Sequence, residues 1–233
     1  MSHSPKDPDE CGGSAPCLLH ELTADGNSVV DPQQVDPQQA RDVAQWRKVE
    51  RERLIAARLA IDEHSRAAQT QAIARDLDRL LSAHSAAIVG GYWPIRAEPD
   101  LRPWMQERHE RGTRIALPVA LEARQALTFR EWHPKARLAR GLWKIPYPAD
   151  GIELTPQVVL APLVGFDEEG YRLGYGGAFF DRTLALLRPR PLAVGVGYAS
   201  SRIKTIFPQP YDIPMDWIVT GTSAPMRATA RRP

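Results

Sequence analysis

The sequence predicts a three-layer, Rossmann-like α/β domain with a mainly parallel central sheet flanked by helices. Three observations carry this. Strand-like and helix-like stretches alternate through the middle and end of the chain, the order that strand–helix–strand units impose. Two stretches, "QVVLAPLVGF" and "LAVGVGYA", are nearly continuous apolar runs, as expected of strands covered on both faces. The chain has 233 residues, 43% of them apolar and 25% charged, which suits one such domain with short extensions.

The elements follow in order. Residues 1–38 are rich in Pro, Asp, Gly, Ser and Gln, and "DPQQVDPQQA" repeats a polar unit without helical or strand period. They read as a disordered acidic arm. The single domain is expected over residues 39–223. Residues 40–61 hold helix formers and many arginines, with apolar positions at Trp46, Val49, Leu54 and Ile55. Asp62 is placed to cap a second helix whose apolar face is Ile73, Leu77, Leu80 and Leu81. "AAIVGGYW" has strand length, residues 99–111 read as a helix stopped by Gly112, and "RIALPV" and "ALTFREW" read as strands. "QVVLAPLVGF" is the most buried-looking strand. A helix over 179–188 runs up to Pro189, then come "LAVGVGYA" and a short last strand in "DWIVT". Residues 224–233 read as a flexible basic tail.

Charge is unevenly spread. Residues 1–40 hold Lys6 against seven acids, a net −6, so the remainder carries +8 of the overall +2. A basic body attracts small polyanions. No Lys/Arg cluster with interleaved aromatics is present, which argues against nucleic acid. No apolar run approaches the roughly 20 residues of a membrane span, and no apolar signal segment opens the chain, so the expected compartment is the cytoplasm. Cys11 and Cys17 are the only cysteines; Cys17 with His20 makes a poor metal motif, and a disulfide-stapled fold is not expected. No histidine pair has metal-ligand spacing. Gly195 and Gly197 in "LAVGVGYA" read as close-packing positions in a strand.

The densest signal is "GFDEEGYRLGYGGAFFDRTLALL", residues 165–187, at the end of the buried strand. Ligands of parallel sheets bind at the carboxyl ends of strands. Glycines let a backbone turn sharply and bring its N–H groups near a phosphate. The following helix start adds partial positive charge. Arg172 supplies a planar fork for phosphate oxygens, and Asp181 a carboxylate suited to Mg²⁺ on a nucleotide. The dinucleotide pattern fails, because Phe179 stands where its third glycine belongs, and no Walker lysine is present. Spacing alone leaves two readings open: a phosphate cradle, and a tight turn with an Arg–Asp pair.

The stretch "PLVGFDEEGYRLGYGGAFFDRTL" resembles the signature of the 5-formyltetrahydrofolate cyclo-ligases, also called methenyltetrahydrofolate synthetases. "RKVER", "YWPIRAEPD", "LPVALEARQALTFREW", "GLWKIPYP" and "PYDIPMDWIVT" are similar to further pieces of that family, in its order. The resemblance covers about residues 43–221. It implies an ATP- and Mg²⁺-dependent enzyme that converts 5-formyltetrahydrofolate to 5,10-methenyltetrahydrofolate with release of ADP and phosphate. It implies ATP contacts from Arg47, Arg51, Arg172, Gly174, Tyr175, Gly176, Gly177, Ala178, Phe179 and Phe180. Arg172 and Asp181 are implied as catalytic, and Asp181 and Asp212 as metal ligands. Trp93, Glu98, Trp143 and Phe179 are implied as folate contacts, with Glu98 pairing to donors of the pterin ring. The substrate is a small molecule, with or without a polyglutamate tail, and the expected state is a monomer. This chain departs from the family pattern at Ala178, where the signature has its third glycine, at Phe179–Phe180, where it has two tyrosines, and at Tyr147, often a glutamate. Those departures motivate an alternative: a catalytically impaired, folate- or nucleotide-binding paralogue with a regulatory or interaction role.

Overall fold

The computed structural model describes residues 36–84, 86–222 and 224–230. Nearly all of the expected acidic arm, with Cys11, Cys17 and His20, lies outside the described residues. The chain divides into two compact units, residues 1–48 and 49–233. The described part of the first is the opening of helix α1 (Pro37–Leu59), with proline at the first helical position, where no N–H is needed.

The rest of α1 belongs to the second unit. Leu54 and Ile55 are buried there with Val164, Leu173 and Ile206, while Val49 is exposed. Helix α2 (Glu63–Ser82) starts as the sequence predicts: the Asp62 carboxylate accepts the Ser65 N–H at 2.8 Å. Its face of Ile73, Leu77, Leu80 and Leu81 is buried. Then come β1 (Ile88–Gly90), α3 (Arg102–Glu110), β2 (Arg114–Val119), β3 (Thr128–Trp132), β4 (Leu138–Arg140) and β5 (Pro146–Pro148). Next are β6 (Val158–Pro162), β7 (Gly165–Phe166), β8 (Arg172–Leu173), α4 (Phe179–Leu186), β9 (Leu192–Val196), β10 (Trp217–Val219) and β11 (Met226–Arg227). Gly112 follows α3 with φ +92°, the left-handed conformation of a helix stop.

Seven strands form one sheet in the order β11-β10-β9-β6-β1-β2-β3. The five from β10 to β2 are mutually parallel, and β3 and β11 close the edges antiparallel. The expected mainly parallel sheet is therefore present. Strand alternation divides the core between its faces. Val158 and Leu160 of β6, Ile115 and Leu117 of β2, and Val194 and Val196 of β9 point to a cluster with α2 and α3. Val159 and Ala161, Ala116 and Ala193 point to a cluster with Leu184 of α4. That is the three-layer arrangement, and it explains why β6 reads as one apolar run.

The structure differs from the sequence reading at two places. The run "QVVLAPLVGF" is not one strand. β6 ends at Pro162, and the last bond to β9 is the Leu163 N–H to the Val196 carbonyl at 3.1 Å; Gly165 and Phe166 pair instead with Leu173 and Arg172 in a separate hairpin. Met226 and Arg227, expected in a loose tail, pair with Ile218 and Trp217. Gly195 and Gly197 are close-packing positions as expected: a Cβ on them would lie 2.6 Å from Ile218 and 2.3 Å from Leu163.

Candidate active site

The β7–β8 hairpin rises past the carboxyl end of β6 and carries the glycine loop. Its turn is fastened by Asp167, which is fully buried. One carboxylate oxygen accepts the Tyr171 N–H at 2.9 Å and the other the Ile206 N–H at 3.1 Å. Gly170, at φ +91°, makes the reversal possible. Arg172 leaves this hairpin pointing inward and is 7% exposed. Its Nη2 lies 3.0 Å from Asp181 Oδ2, and its guanidinium carbon sits 5.4 Å from the centre of the Phe180 ring. The Asp181 contact is an ion pair without hydrogen-bond alignment: Nε and Nη2 are buried and have no hydrogen-bond partner. A buried cation with two unused donors is costly unless something accepts from it.

The loop beyond Arg172 is tied to α1. Arg51 Nε donates to the Gly174 carbonyl at 2.7 Å, and its guanidinium lies against Gly176, which has φ +91°. At Gly177 a Cβ would come within 2.6 Å of the Phe179 ring. Ala178 adopts φ 48°, ψ 29°, and precedes α4 without a side-chain cap. It thus sits in the left-handed region that favours the signature's glycine, at a cost of about 1 kcal/mol. Arg182, missed in the sequence, donates to the Gly177 carbonyl and holds its guanidinium over the Phe179 ring.

The turn that carries Asp212 reaches Asp181 through its backbone. The residue after Asp212, Ile213, donates its N–H to Asp181 Oδ1 at 3.2 Å. Asp212 also closes its own turn, accepting the Gln209 N–H at 2.7 Å. Among the described residues no group of three or more His, Cys, Asp or Glu could hold a metal ion. A carboxylate such as Asp181 beside a basic loop suits Mg²⁺ in its usual form, where one or two carboxylates share the ion with substrate phosphates and water.

Glu98 sits in a second knot. Arg96 and Ala97 both have positive φ, 47° and 57°, and this strained turn folds Glu98 back on Ile95. Glu98 N–H donates to the Ile95 carbonyl at 3.0 Å, and its Oε2 accepts the Ile95 N–H at 2.9 Å. Glu98 Oε1 accepts from the Tyr175 hydroxyl at 2.9 Å. Arg58, buried and also missed in the sequence, donates to the Tyr175 oxygen at 2.5 Å. Burial pushes the Glu98 carboxyl up to about 7, against the Ile95 N–H, the Arg58 charge, the Tyr175 hydroxyl and the Arg96 charge. A signal for Arg58 was available: it lies seven residues after Arg51, two turns along the same helix face.

Trp143 is 61% exposed and held at φ 53°. Its ring meets Phe179 edge-on, with centroids 5.3 Å apart. Trp93 is half-buried against the core beside α3, and its ring partner is Arg102, at 5.1 Å. Arg47 is half-buried on α1, in the first unit. The structure thus brings Arg51, Arg172, the glycines and Asp181 around one loop. Glu98 joins that loop through Tyr175, and Trp143 joins it through Phe179.

Known proteins resemble this chain in sequence and in fold. A 5-formyltetrahydrofolate cyclo-ligase of Escherichia coli K12 is 31% identical over 148 residues, 60% of this chain and 80% of the relative. A 5,10-methenyltetrahydrofolate synthetase of Aquifex aeolicus, solved by NMR, superposes with a TM-score of 0.69 at 27% identity, over 80% of this chain and 95% of that one. The synthetase of Mycoplasma pneumoniae has the same fold, with a TM-score of 0.63 at 19% identity, over 75% of this chain and 98% of its own. The family description that matches residues 43–221 takes in β6, the glycine loop, Glu98 and both aspartates, and on it the chain belongs to the 5-formyltetrahydrofolate cyclo-ligase family.

Proposed function

We propose that this chain catalyses the ATP-dependent conversion of 5-formyltetrahydrofolate to 5,10-methenyltetrahydrofolate, with release of ADP and phosphate. The observation that carries the reading is Arg172, buried at the end of the glycine loop with two donors unused. An amide oxygen is a poor nucleophile and a poor leaving group, so catalysis rests on positioning and charge neutralisation. The formyl oxygen attacks the γ-phosphorus as the bond to ADP breaks. N10 then attacks the formyl carbon and gives up its proton to the departing phosphate or to water, and the carbon–oxygen bond breaks to release phosphate.

Arg172 offers Nε and Nη2 to the transferred phosphoryl oxygens, where negative charge is spread in the transition state. Arg51 binds the remaining phosphates, and the backbone of residues 174–180 cradles them. Asp181 and Asp212 would hold Mg²⁺, which would supply charge neutralisation to the triphosphate. Asp181 also keeps the Arg172 fork in place. Glu98 accepts hydrogen bonds from the pterin ring, and Trp143, Phe179 and Trp93 supply flat apolar surface to the folate. We take residues 39–223 as the catalytic domain, acting as a monomer in the cytoplasm on folate with or without a polyglutamate tail. No helix among the described residues is long and apolar enough to cross a membrane.

The test is turnover. Purified chain with MgATP and 5-formyltetrahydrofolate is expected to form the methenyl chromophore, with one ADP per product. Binding of both ligands without product would defeat the reading and favour the non-catalytic paralogue.

A further inference from the structure

Arg58, Tyr175 and Glu98 come from three separate parts of the chain: helix α1, the glycine loop and the turn after β1. Arg58 and Glu98 are 3% and 5% exposed. The proton directions are fixed by chemistry. Arginine can only donate, so the Tyr175 oxygen accepts from Arg58, and the phenol hydrogen goes to Glu98. Burial and the Glu98 charge push the Tyr175 phenol far up, so it remains a donor throughout the neutral range. The cation polarises the phenol and strengthens the bond that it gives. Arg58 is held from behind by the Leu163 carbonyl at 3.3 Å, and the Tyr175 ring is flanked by the guanidinium groups of Arg58 and Arg96, 5.8 and 5.6 Å from its centre.

We propose that Tyr175 is a positioning residue: its hydroxyl, held by Arg58, fixes the Glu98 carboxylate as the acceptor for folate's ring N–H groups. This rests on the folate reading above. A carboxylate has about four acceptor positions. Ile95 and Tyr175 occupy one on each oxygen, which locks the rotation of the group and leaves the others for a ligand. The acceptor must also be ionised. The groups facing Glu98 are Arg58 from α1, Tyr175 from the glycine loop, Arg96 beside it in sequence, and Tyr92 and Tyr198 after β1 and β9. Burial pushes both of those tyrosines up as well, so they stay neutral, and what opposes burial at Glu98 is the Ile95 N–H first, then the Arg58 charge, the Tyr175 hydroxyl and the Arg96 charge. Loss of the Tyr175 hydroxyl removes one of these and shifts Glu98 further toward its protonated form at neutral pH.

The test uses the full chain with Tyr175→Phe and Arg58→Gln. The first readout needs no ligand: the infrared band of a protonated carboxyl, followed from pH 5 to 9 and assigned to Glu98 by its absence in Glu98→Gln. The wild-type midpoint is expected near 7, moving up by about one unit in Tyr175→Phe. The second is kinetic. At pH 7 the KM for 5-formyltetrahydrofolate should rise about fivefold with little change in kcat, and the gap should close at pH 9, where Glu98 is ionised in both proteins. Arg58→Gln should act in the same direction; if it does not fold, Tyr175→Phe still decides. An unmoved midpoint overturns the inference even if turnover is normal. A moved midpoint in a protein that turns over no folate keeps the three-residue relay and overturns its folate role.

Discussion

Arg172 shows what burial does to one side chain. At the surface it would be one arginine among many; here its fork is enclosed, oriented by Asp181 and short of acceptors. Lysine carries the same charge as a point, without the planar pair of donors. Arg172→Lys is expected to lower kcat/KM for ATP by roughly 10²-fold, measured beside urea unfolding so that a folding defect is not mistaken for a catalytic one. Unchanged kinetics would remove Arg172 from the phosphate site. Glu98 carries the opposite sign of trade. Its carboxyl is pushed from 4.5 up to about 7 by burial, so the folded state holds the proton more tightly than the unfolded chain. Between those two pH values the unfolded state has released its proton and the folded state has not, and stability falls as pH rises. The contribution is fully present below about 4.5 and lost above about 7. Glu98→Gln has no proton to lose. Relative to wild type it should gain up to about 3 kcal/mol between pH 4.5 and 8, while losing affinity for folate. Parallel stability curves for the two proteins across that range would refute the buried, uncompensated carboxylate.

Among elements, α4 is the short piece that fixes the glycine loop to the sheet. It lacks a side-chain cap and begins on a left-handed alanine, so its anchorage lies elsewhere. Thr183 supplies it. This buried hydroxyl donates to the Phe179 carbonyl at 2.7 Å and accepts the Leu127 N–H at 2.8 Å, just ahead of β3. Thr183→Val keeps the shape and strands the Leu127 N–H, which should cost about 1–3 kcal/mol. Urea midpoints would read this, and a cost near zero would mean that α4 is held by Leu184 packing alone. Such elements were largely legible in the sequence. The face of α2 follows from helical period, β6 from its apolar run, and the tight turn before α4 from its glycines. The break after Pro162 is not legible because an apolar run does not reveal where a chain changes partner: the Leu163 N–H still bonds to the Val196 carbonyl, and the Val164 N–H turns to Leu173. The Arg58–Tyr175–Glu98 relay was not legible as a relay. Its hydrogen bonds join residues 117 and 77 positions apart, and no local period carries such a pairing. The left-handed turns at Arg96–Ala97 and Trp143–Lys144 were hidden for a related reason: none of these residues is a glycine that would announce positive φ.

At the scale of the whole molecule, charge is segregated along the chain in a way that the fold does not require. Residues 1–35 hold one lysine against six acids, a net −5, so the rest of the chain carries +7. Among the described residues, the buried clusters draw none from before Leu54. Removal of residues 1–35 is therefore expected to leave the thermal midpoint unchanged. Its effect should be electrostatic. A body of net +7 attracts ATP and folate, both anions, more strongly than an intact chain of +2, and attraction between exposed charges is screened over about 10 Å at 0.1 M salt. The truncated protein should show a higher kcat/KM for ATP at low ionic strength and a steeper fall as salt is added. The two proteins should converge near about 0.3 M, where screening hides the difference. Equal slopes would mean that the acidic segment does not weaken the field at the phosphate loop. A drop in the thermal midpoint would mean instead that residues 1–35 contribute to the folded body.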